Sequence, residues 1–394
     1  MAGKPDHDYG TKERKVDVDI TVYGATGVVS QHVLAYLTQV SVSLPRKLTV
    51  TLAGRNKTKL RKLRERMEQK MTLLKEAKGG VDSFCIFDVF VADCQDSKAL
   101  LAMAKRTRVV LNCAGPFRFY GTKVVQACAE TGAHYTDISD ETVWAGEMRA
   151  RYGPSAAESG ARIVSFCGFD SVPSDIAVYV AFKALKDECK EKSVDIAKAT
   201  TWYTCQGGFT SGIILGRLQR KFNYRNLLHL IPYFEADPLV LTHPKIRADP
   251  DMETTRRRFA LGEWINQLPA THSIFRFGVT LPFFLASVNF KVVYATAVAL
   301  KYGRNFVYRE RFVPAGFKFT HHFGPVSLIP ALLTQIYLLI WNMVLRMPIL
   351  GFRIASWLFP PGTGLSERCV KSEYLISSCS LCRVVLHGDF CLVR

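Results

Sequence analysis

Two glycines three residues apart follow an apolar run near the start of the chain, and together they could bind a phosphate group. β-Branched residues alternate from Val18 to Val22, and apolar residues recur at helical spacing after Gly27. This pattern predicts a buried strand, a tight turn and the first turn of a helix. The free N–H groups and the dipole of such a helix favour an anion. The candidate binding residues in this turn are Gly24, Ala25, Thr26, Gly27, Val28 and Val29.

The turn departs from the usual dinucleotide-binding pattern at its third position, where Ser30 replaces glycine. In that pattern the first glycine closes the turn, and the second lets the backbone approach the pyrophosphate. The third glycine permits close packing of helix and strand. Serine is small, so we expect the turn to be retained. Alone, the motif is weak evidence for a nucleotide site.

The second predicted strand ends at Arg55 and Asn56, with no carboxylate beside them. In NAD sites, an acid about 20 residues after the glycines binds the ribose 2′-hydroxyl. An arginine at this place can instead pair with a 2′-phosphate. We therefore expect NADP to be preferred, and the sequence leaves NAD open. The other interpretation is a surface arginine that packs on its own helix.

Two further strand ends supply candidate cofactor contacts. Asp93 follows the third strand and could accept a hydrogen bond from the adenine amino group, or it could cap the helix that starts near Ser97. The fourth strand ends in small residues, which would let the backbone approach a nicotinamide ring. This second group consists of Asn112, Cys113, Ala114 and Gly115.

The sequence assigns no catalytic residue and no metal site. Four side chains are predicted at or beyond the carboxyl ends of strands, where substrates bind, but each is better explained as structural: Tyr120, Asp137, Asp170 and Ser171. The C-terminal tail carries Cys379, Cys382, His387 and Cys391, one residue short of a zinc-knuckle spacing. A tail with free thiols is the better interpretation, so we expect no metal.

The elements that would position these residues alternate regularly between residues 16 and 170. Strands followed by helices predict an α/β fold with a doubly wound, parallel Rossmann-type sheet. The pattern changes at Gly168–Asp175, where Ser174 or Asp175 is a plausible cap for a helix beginning at Ile176. We expect a second, smaller α+β domain over 171–325. A polar, disordered tail over 1–15 and a divergent Cys-rich tail over 360–394 complete the prediction.

An apolar segment covers residues 326–359. Val326 to Leu345 contains no Lys, Arg, Asp or Glu, and about 20 helical residues span a bilayer core. Arg346 interrupts the segment, and the arm after it is too short to cross. We expect a hairpin that contacts a membrane or lipid droplet surface without spanning it. A buried helix pair and a homodimer interface are the alternatives left open.

The chain has 394 residues and a net charge of +18, which favours anionic partners. Its basic residues are spread along the chain and form no RNA-binding motif, so we expect no nucleic acid. The polar N-terminus has no signal-peptide pattern. The 11 cysteines are odd in number and most lie in predicted core strands and helices, which predicts reduced, buried thiols in an intracellular protein.

Five motifs occur in order along the chain. They are Tyr23-Gly-Ala-Thr-Gly27, Ala53-Gly-Arg55, Leu111-Asn-Cys-Ala-Gly-Pro-Phe-Arg-Phe-Tyr-Gly121, His134-Tyr-Thr-Asp-Ile-Ser-Asp-Glu141 and Gly168-Phe-Asp-Ser-Val-Pro-Ser-Asp175. Together they resemble the saccharopine dehydrogenase-like oxidoreductase family, which is related to trans-acting enoyl reductases of lipid biosynthesis.

The resemblance runs from about Val16 to Gly364. It implies a nucleotide-binding domain, then an α+β domain, with association with lipid droplets or mitochondria. Gly207–Gly212 resembles a loop of that second domain. Family members continue with further strands where the tail follows here, so we expect an incomplete second domain.

From this resemblance we expect an NADP-dependent oxidoreductase that acts on a lipid-like carbonyl or enoyl substrate. True saccharopine dehydrogenases bind a small, charged amino acid conjugate. This chain instead has an apolar C-terminal half, which suits a lipid-like substrate better. A catalytically inactive scaffold at a lipid surface, which retains the nucleotide-binding fold, is the alternative.

Overall fold

The computed structural model describes residues 16–77, 84–169, 171–189, 196–203, 237–267, 281–283, 286–303, 305–312 and 383–387. The chain divides into two compact units, Met1–Cys167 and Gly168–Arg394. Several predictions fall outside the described residues: the tail 1–15, Asp170, the loop Gly207–Gly212, the segment 326–359 and most of the tail 360–394. No helix in the described part of the chain is both long enough and apolar enough to cross a membrane.

The first unit is built on six strands, namely β1 (Val18–Tyr23), β2 (Leu48–Gly54), β3 (Cys85–Val91), β4 (Thr107–Asn112), β5 (His134–Asp137) and β6 (Ile163–Val164). They form one sheet in the order β3-β2-β1-β4-β5-β6, and every neighbouring pair is parallel. The predicted doubly wound α/β fold is confirmed. The last strand, β6, has only two residues.

Six helices connect these strands: α1 (Val28–Ser41), α2 (Lys57–Ala77), α3 (Ser97–Lys105), α4 (Phe117–Tyr120), α5 (Thr122–Thr131) and α6 (Thr142–Ser159). The charged helix α2 illustrates how these helices pack against the sheet. Its apolar residues Leu60, Leu63, Met67 and Met71 share one face and are buried. They pack in a core with β1, β2 and β3, and each buried side chain of this size contributes about 1.5–3 kcal/mol.

The strand order places a topological switch at the centre of the sheet. The chain runs outward from β1 to β3 on one side and then returns to β4 on the other side of β1. The ends of these two central strands are aligned, with Tyr23 opposite Asn112. In such sheets, ligands bind outside the carboxyl ends of the strands at the switch point. The glycine turn therefore lies at the place where a dinucleotide is expected.

The second unit combines helices with a four-stranded mixed sheet. Its elements are α7 (Val172–Cys189), β7 (Lys198–Tyr203), α8 (Pro244–Arg247), α9 (Met252–Gln267), β8 (Leu281–Pro282), α10 (Ala286–Leu300), β9 (Val307–Phe312) and β10 (Arg383–His387). The strand order is β10-β7-β9-β8, and only β7 and β9 run parallel among these described strands. An aromatic-rich core, including Phe259 stacked on Tyr294, packs between the sheet and the helices.

The start of α7 corrects one prediction. The helix begins at Val172 rather than Ile176, so Ser174 and Asp175 lie inside its first turn and do not cap it. Ser174 is fully buried and its hydroxyl contacts the Tyr203 hydroxyl and the Glu310 carboxylate. Tertiary hydrogen bonds therefore occupy a side chain that local pattern assigned to capping.

Candidate functional site

The turn after β1 is held by backbone hydrogen bonds to the neighbouring strand. Gly24 has φ +77°, in the left-handed region that favours glycine. The amides of Gly24 and Ala25 both donate to the carbonyl of Ala53, at 2.9 and 3.1 Å. The amide of Gly27 donates back to the carbonyl of Gly24 at 2.9 Å. The chain reversal is therefore fixed before α1 begins.

Ser30 explains how the turn tolerates the missing third glycine. Its side chain is fully buried, and its hydroxyl donates to the carbonyl of Gly24 at 2.8 Å. The same hydroxyl hydrogen-bonds to the Cys113 thiol, although burial is the larger effect and raises the pKa of that thiol to about 11. Serine thus joins the helix to the turn with a hydrogen bond instead of closer packing.

The start of α1 fits a pyrophosphate group. Gly27 precedes the helix with φ −73°, has no side chain that could cap it, and the first turn carries no acidic residue. Thr26, Gly27 and Val29 are exposed. The backbone N–H groups at this end of the helix are thus open to an anion, whose charge the helix dipole would favour. The predicted candidates Gly24 to Val29 all belong to this one turn. Ala25 is fully buried, so its side chain is not accessible to a ligand.

The end of β4 packs directly against the turn. A Cβ placed on Gly24 would lie 2.9 Å from the Cβ of Ala114, and the amide of Cys113 donates to the carbonyl of Tyr23 at 2.9 Å. Asn112 is buried, and its side chain accepts from the Ala114 amide at 2.9 Å. Asn112 therefore shapes the strand end from inside, whereas Gly115 is exposed and accessible to a ligand.

Arg55 is exposed at the end of β2. Its neighbour Asn56 caps α2 by accepting from the amide of Lys59 at 3.0 Å. Burial and the Asp93 carboxylate raise the pKa of the Cys94 thiol, whereas the Arg55 guanidinium opposes this shift. Arg55 thus lies near the end of β3. Within the described residues, Arg55 forms no salt bridge, so its guanidinium is available to a phosphate.

Asp93 does not cap the helix that follows it, which corrects one of its two predicted roles. The cap of α3 is Asp96, which accepts from the amide of Ala99 at 3.0 Å. Asp93 closes a turn before it by accepting from the amide of Gln95 at 2.8 Å. Asp93 follows the carboxyl end of β3, and its contact with the adenine amino group stays a prediction.

Asp137 is buried at the end of β5 in a network of hydrogen bonds. Its carboxylate accepts from the hydroxyls of Tyr135 and Ser165, at 2.9 and 3.1 Å. It also accepts from the amides of Ser139 and Phe166, at 3.0 and 3.2 Å. Burial raises the pKa of Asp137 although these hydrogen bonds lower it. The arrangement favours the structural interpretation over a catalytic one.

Glu141 holds the segment after β4 and was not singled out from the sequence. Its carboxylate is buried and accepts from the amides of Phe117 and Arg118, at 2.8 and 3.1 Å. It therefore caps the short helix α4, which presents Phe119 and Tyr120 to solvent. The two motifs 111–121 and 134–141 are thus parts of one structure at the carboxyl edge.

In the second unit, the motif 168–175 is tied into the core by its serines. The hydroxyl of Ser171 donates to the side-chain oxygen of Asn289 at 2.9 Å. Asn289 in turn donates to the Glu310 carboxylate, which also accepts from the Tyr308 hydroxyl at 2.9 Å. Ser171 is therefore a structural residue of a buried polar network.

Residues 20–164 match the model of the saccharopine dehydrogenase NADP-binding domain. The N-terminal unit therefore belongs to this domain family. The predicted resemblance is confirmed, and NADP is the cofactor that the family binds. The glycine turn, Arg55 and the end of β4 all lie inside the matched residues.

Three relatives extend the similarity beyond this domain. A Caenorhabditis elegans lipid droplet localized protein is 34% identical over 200 residues, which cover 50% of this chain and 44% of the relative. A Mycobacterium tuberculosis protein, provisionally named a trans-acting enoyl reductase, is 30% identical over 305 residues, covering 75% and 64%. An Arabidopsis thaliana protein, provisionally named a mitochondrial saccharopine dehydrogenase-like oxidoreductase, is 37% identical over 164 residues, covering 41% and 34%. The chain thus spans less than two thirds of each relative.

Proposed function

We propose that the chain is an NADP-dependent oxidoreductase that acts on a lipid-like carbonyl or enoyl substrate. The observation that carries the proposal is the NADP-binding domain, with its open helix start at Gly27 and its exposed Arg55. The relatives named for enoyl reduction and for lipid droplets support a lipid-like substrate.

The first unit supplies binding and orientation for this chemistry. The glycine turn would hold the pyrophosphate and Arg55 the 2′-phosphate. The strand end Ala114–Gly115, fixed by Asn112, would line the nicotinamide. When bound, NADPH would supply a hydride to the electrophilic carbon, and one proton from solvent or a protein group would complete the reduction.

The direct test is substrate-dependent oxidation of NADPH by the purified full-length chain. Long-chain enoyl and carbonyl compounds would be offered in mixed micelles with NADPH, and saccharopine would be offered in parallel with NADP+ as the oxidant, as a charged comparison substrate. We expect turnover of an apolar substrate and none when Gly27→Val replaces the wild type. Oxidation of saccharopine alone would contradict the lipid-like assignment.

A catalytically inactive scaffold is the second candidate. The enclosed position of Asp137 favours it, because this buried carboxylate has no free access to a reacting atom. The scaffold would bind NADPH with normal affinity and oxidise it with none of the substrates. Calorimetric binding measured beside turnover therefore separates the two candidates.

We further propose that the protein acts at an anionic lipid surface. The apolar segment 326–359 supports this from the sequence. Among the described residues, α7 carries a row of exposed apolar side chains, Val172, Ile176, Tyr179 and Val180. Lys183 and Lys186 continue the exposed side of this helix, and cations of this kind are attracted by anionic headgroups.

Flotation with vesicles of phosphatidylcholine and phosphatidylserine tests this surface. We expect the intact chain to float, deletion of 326–359 to abolish flotation, and Ile176→Asp to weaken it. The matched control is Leu73→Asp, because Leu73 is an exposed residue of α2 in the first unit. If the intact chain stays with the soluble fraction, the proposed action at a lipid surface is wrong. The oxidoreductase proposal, which NADPH turnover tests, would still stand.

A further inference from the structure

Three buried polar side chains share one face of strands β4 and β5. Asn112 is paired with Asp137 in the parallel ladder, and Val110 is paired with Tyr135. Because side chains alternate along a strand and paired residues share a face, Tyr135, Asp137 and Asn112 lie on the same side of the sheet. All three are at most 1% exposed. The Tyr135 hydroxyl reaches forward along the strand and contacts both of the other side chains.

Hydrogen bonds join these side chains in a single direction. The Oδ1 atom of Asn112 accepts from the backbone amide of Ala114 at 2.9 Å. Since a backbone N–H can only donate, the Nδ2 atom of Asn112 is the one that faces Tyr135, and it donates to the hydroxyl at 3.1 Å. The hydroxyl proton of Tyr135 therefore points at Asp137, whose Oδ2 accepts it at 2.9 Å. The chain of donors thus runs from Asn112 through Tyr135 to Asp137.

Asp137 provides the fixed acceptor at the end of this chain. Its Oδ1 accepts from the backbone amides of Ser139 and Phe166, at 3.0 and 3.2 Å, which hold the carboxylate in place. Its Oδ2 accepts from the Ser165 hydroxyl at 3.1 Å as well as from Tyr135. An ionised carboxylate has no proton to give, so the Tyr135 hydroxyl must donate to it. The lone pairs of that hydroxyl are then left for Asn112.

The other end of the chain holds the backbone at the predicted nicotinamide edge. Ala114 packs against the glycine turn, where a Cβ on Gly24 would lie 2.9 Å from the Ala114 Cβ, and Gly115 beside it is exposed. If the Asn112 side chain turned over, its Nδ2 would face the Ala114 amide, two donors would oppose each other, and this hydrogen bond would be lost. Tyr135 prevents the reversal because it presents only an acceptor to Asn112.

We propose that Tyr135 and Asp137 are positioning residues for the nicotinamide half of NADP and act through Asn112. The inference rests on the proposed function, in which Ala114–Gly115 lines the nicotinamide. Tyr135 and Asp137 are buried and act by holding Asn112 in the orientation that fixes the Ala114 amide. The pyrophosphate and the 2′-phosphate are expected at the glycine turn and at Arg55. Their binding should therefore not depend on this chain of hydrogen bonds.

The test compares two ligands by calorimetry on the cofactor-free full-length chain. NADPH carries the nicotinamide, whereas adenosine 2′,5′-bisphosphate carries the adenine and the 2′-phosphate without it. Tyr135→Phe keeps the ring and removes the hydroxyl, so that Asn112 can turn over. We expect this variant to weaken NADPH binding by about tenfold, the scale of one lost buried hydrogen bond, and to bind adenosine 2′,5′-bisphosphate as the wild type does. Asp137→Asn should have the same selective effect, because its Nδ2 would donate to Tyr135 and turn the hydroxyl proton toward Asn112.

Thr107→Val is the matched control for the loss of a buried hydroxyl. Thr107 lies at the amino end of β4, away from the nicotinamide edge, and its hydroxyl is 2.7 Å from that of Thr21, which is also buried. The control should lower the urea midpoint, as Tyr135→Phe does, and bind both ligands with wild-type affinity. General destabilisation is thereby separated from positioning.

The fluorescence anisotropy decay of bound NADPH gives a second readout. The reduced nicotinamide should rotate with the protein in the wild type and in Thr107→Val, and should show an additional fast component in Tyr135→Phe. Equal loss of both ligands in Tyr135→Phe would overturn the proposal, and so would wild-type NADPH affinity with an unchanged decay. Neither measurement uses a substrate. A chain that binds NADPH but oxidises it with no substrate would therefore contradict the proposed reaction and leave this inference standing.

Discussion

Gly24 and Ala114 touch across the switch point of the sheet, where a Cβ on Gly24 would approach the Ala114 Cβ to 2.9 Å and its amide nitrogen to 3.0 Å. Gly24 directly follows β1 and Ala114 lies two residues beyond the end of β4, so their contact sets the distance between the glycine turn and the predicted nicotinamide edge. Because backbone as well as side-chain atoms are involved, no rotamer change can make room for a larger residue.

We expect Gly24→Ala to destabilise the protein for two reasons. Its φ of +77° strains any residue with a Cβ, and the contact with Ala114 adds a clash. The strain alone costs about 1–3 kcal/mol. Gly160→Ala is the matched control, because Gly160 has φ +78° but open space around its Cβ position. In urea titrations, equal destabilisation by the two variants would show that the contact with Ala114 has no energetic cost.

Gly27→Val tests the phosphate-binding role of the turn while leaving the fold intact. The φ of Gly27 is −73°, which valine adopts without strain. Its Cβ would lie 3.2 Å from the Gly24 carbonyl oxygen, a tight contact that a shift of a few tenths of an ångström relieves, and 3.6 Å from the Ser30 hydroxyl oxygen. We expect a cooperative unfolding transition close to that of the wild type and no measurable NADPH binding. Normal binding of NADPH by this variant would mean that the turn has a structural role only.

Arg55→Ala tests how the 2′-phosphate is recognised. Loss of a charge-assisted contact should weaken NADPH binding by about 1–3 kcal/mol, while NADH binding should hardly change because NADH lacks this phosphate. Arg61→Ala is the control, since Arg61 is an exposed arginine on the helix that follows. The variant and its control would be compared by calorimetry with both cofactors. Equal losses for NADPH and NADH would show that Arg55 does not distinguish them.

Local pattern was sufficient to predict the sheet, the glycine turn and the position of Arg55. Each of these features is determined by residues close together in the sequence, such as the β-branched run before Gly24 or the strand that ends at Gly54. The family motifs were visible for the same reason. The sequence therefore predicted most of the architecture of the first unit.

What the sequence did not predict depends on contacts between distant residues. Glu141 caps a helix 24 positions earlier, and Ser174 meets Glu310 across 136 positions. Their local surroundings favoured other roles or none.

Asp175 should make stability depend on pH in the mildly acidic range. It lies in the first turn of α7, and its Oδ2 accepts from the Thr296 hydroxyl at 2.9 Å. Its buried Oδ1 has no hydrogen-bond partner among the described residues. Burial raises the pKa of Asp175 from 3.8 to about 6, although the hydrogen bond from Thr296 opposes this shift. Burial therefore outweighs the favourable helix dipole at this position.

The sign of the effect follows from proton binding. Below pH 3.8 both the folded and the unfolded state hold the proton, whereas between 3.8 and about 6 the folded state binds more protons. The free energy of unfolding should thus fall as pH rises through this window and become level above it. Asp175→Asn keeps an oxygen that can accept from Thr296 and carries no charge. It should flatten this dependence and raise stability at neutral pH, whereas Asp187→Asn, an exposed residue of the same helix, should retain the slope. Urea midpoints measured between pH 4 and 8 decide the matter, since a slope unchanged in Asp175→Asn would assign the dependence to another group.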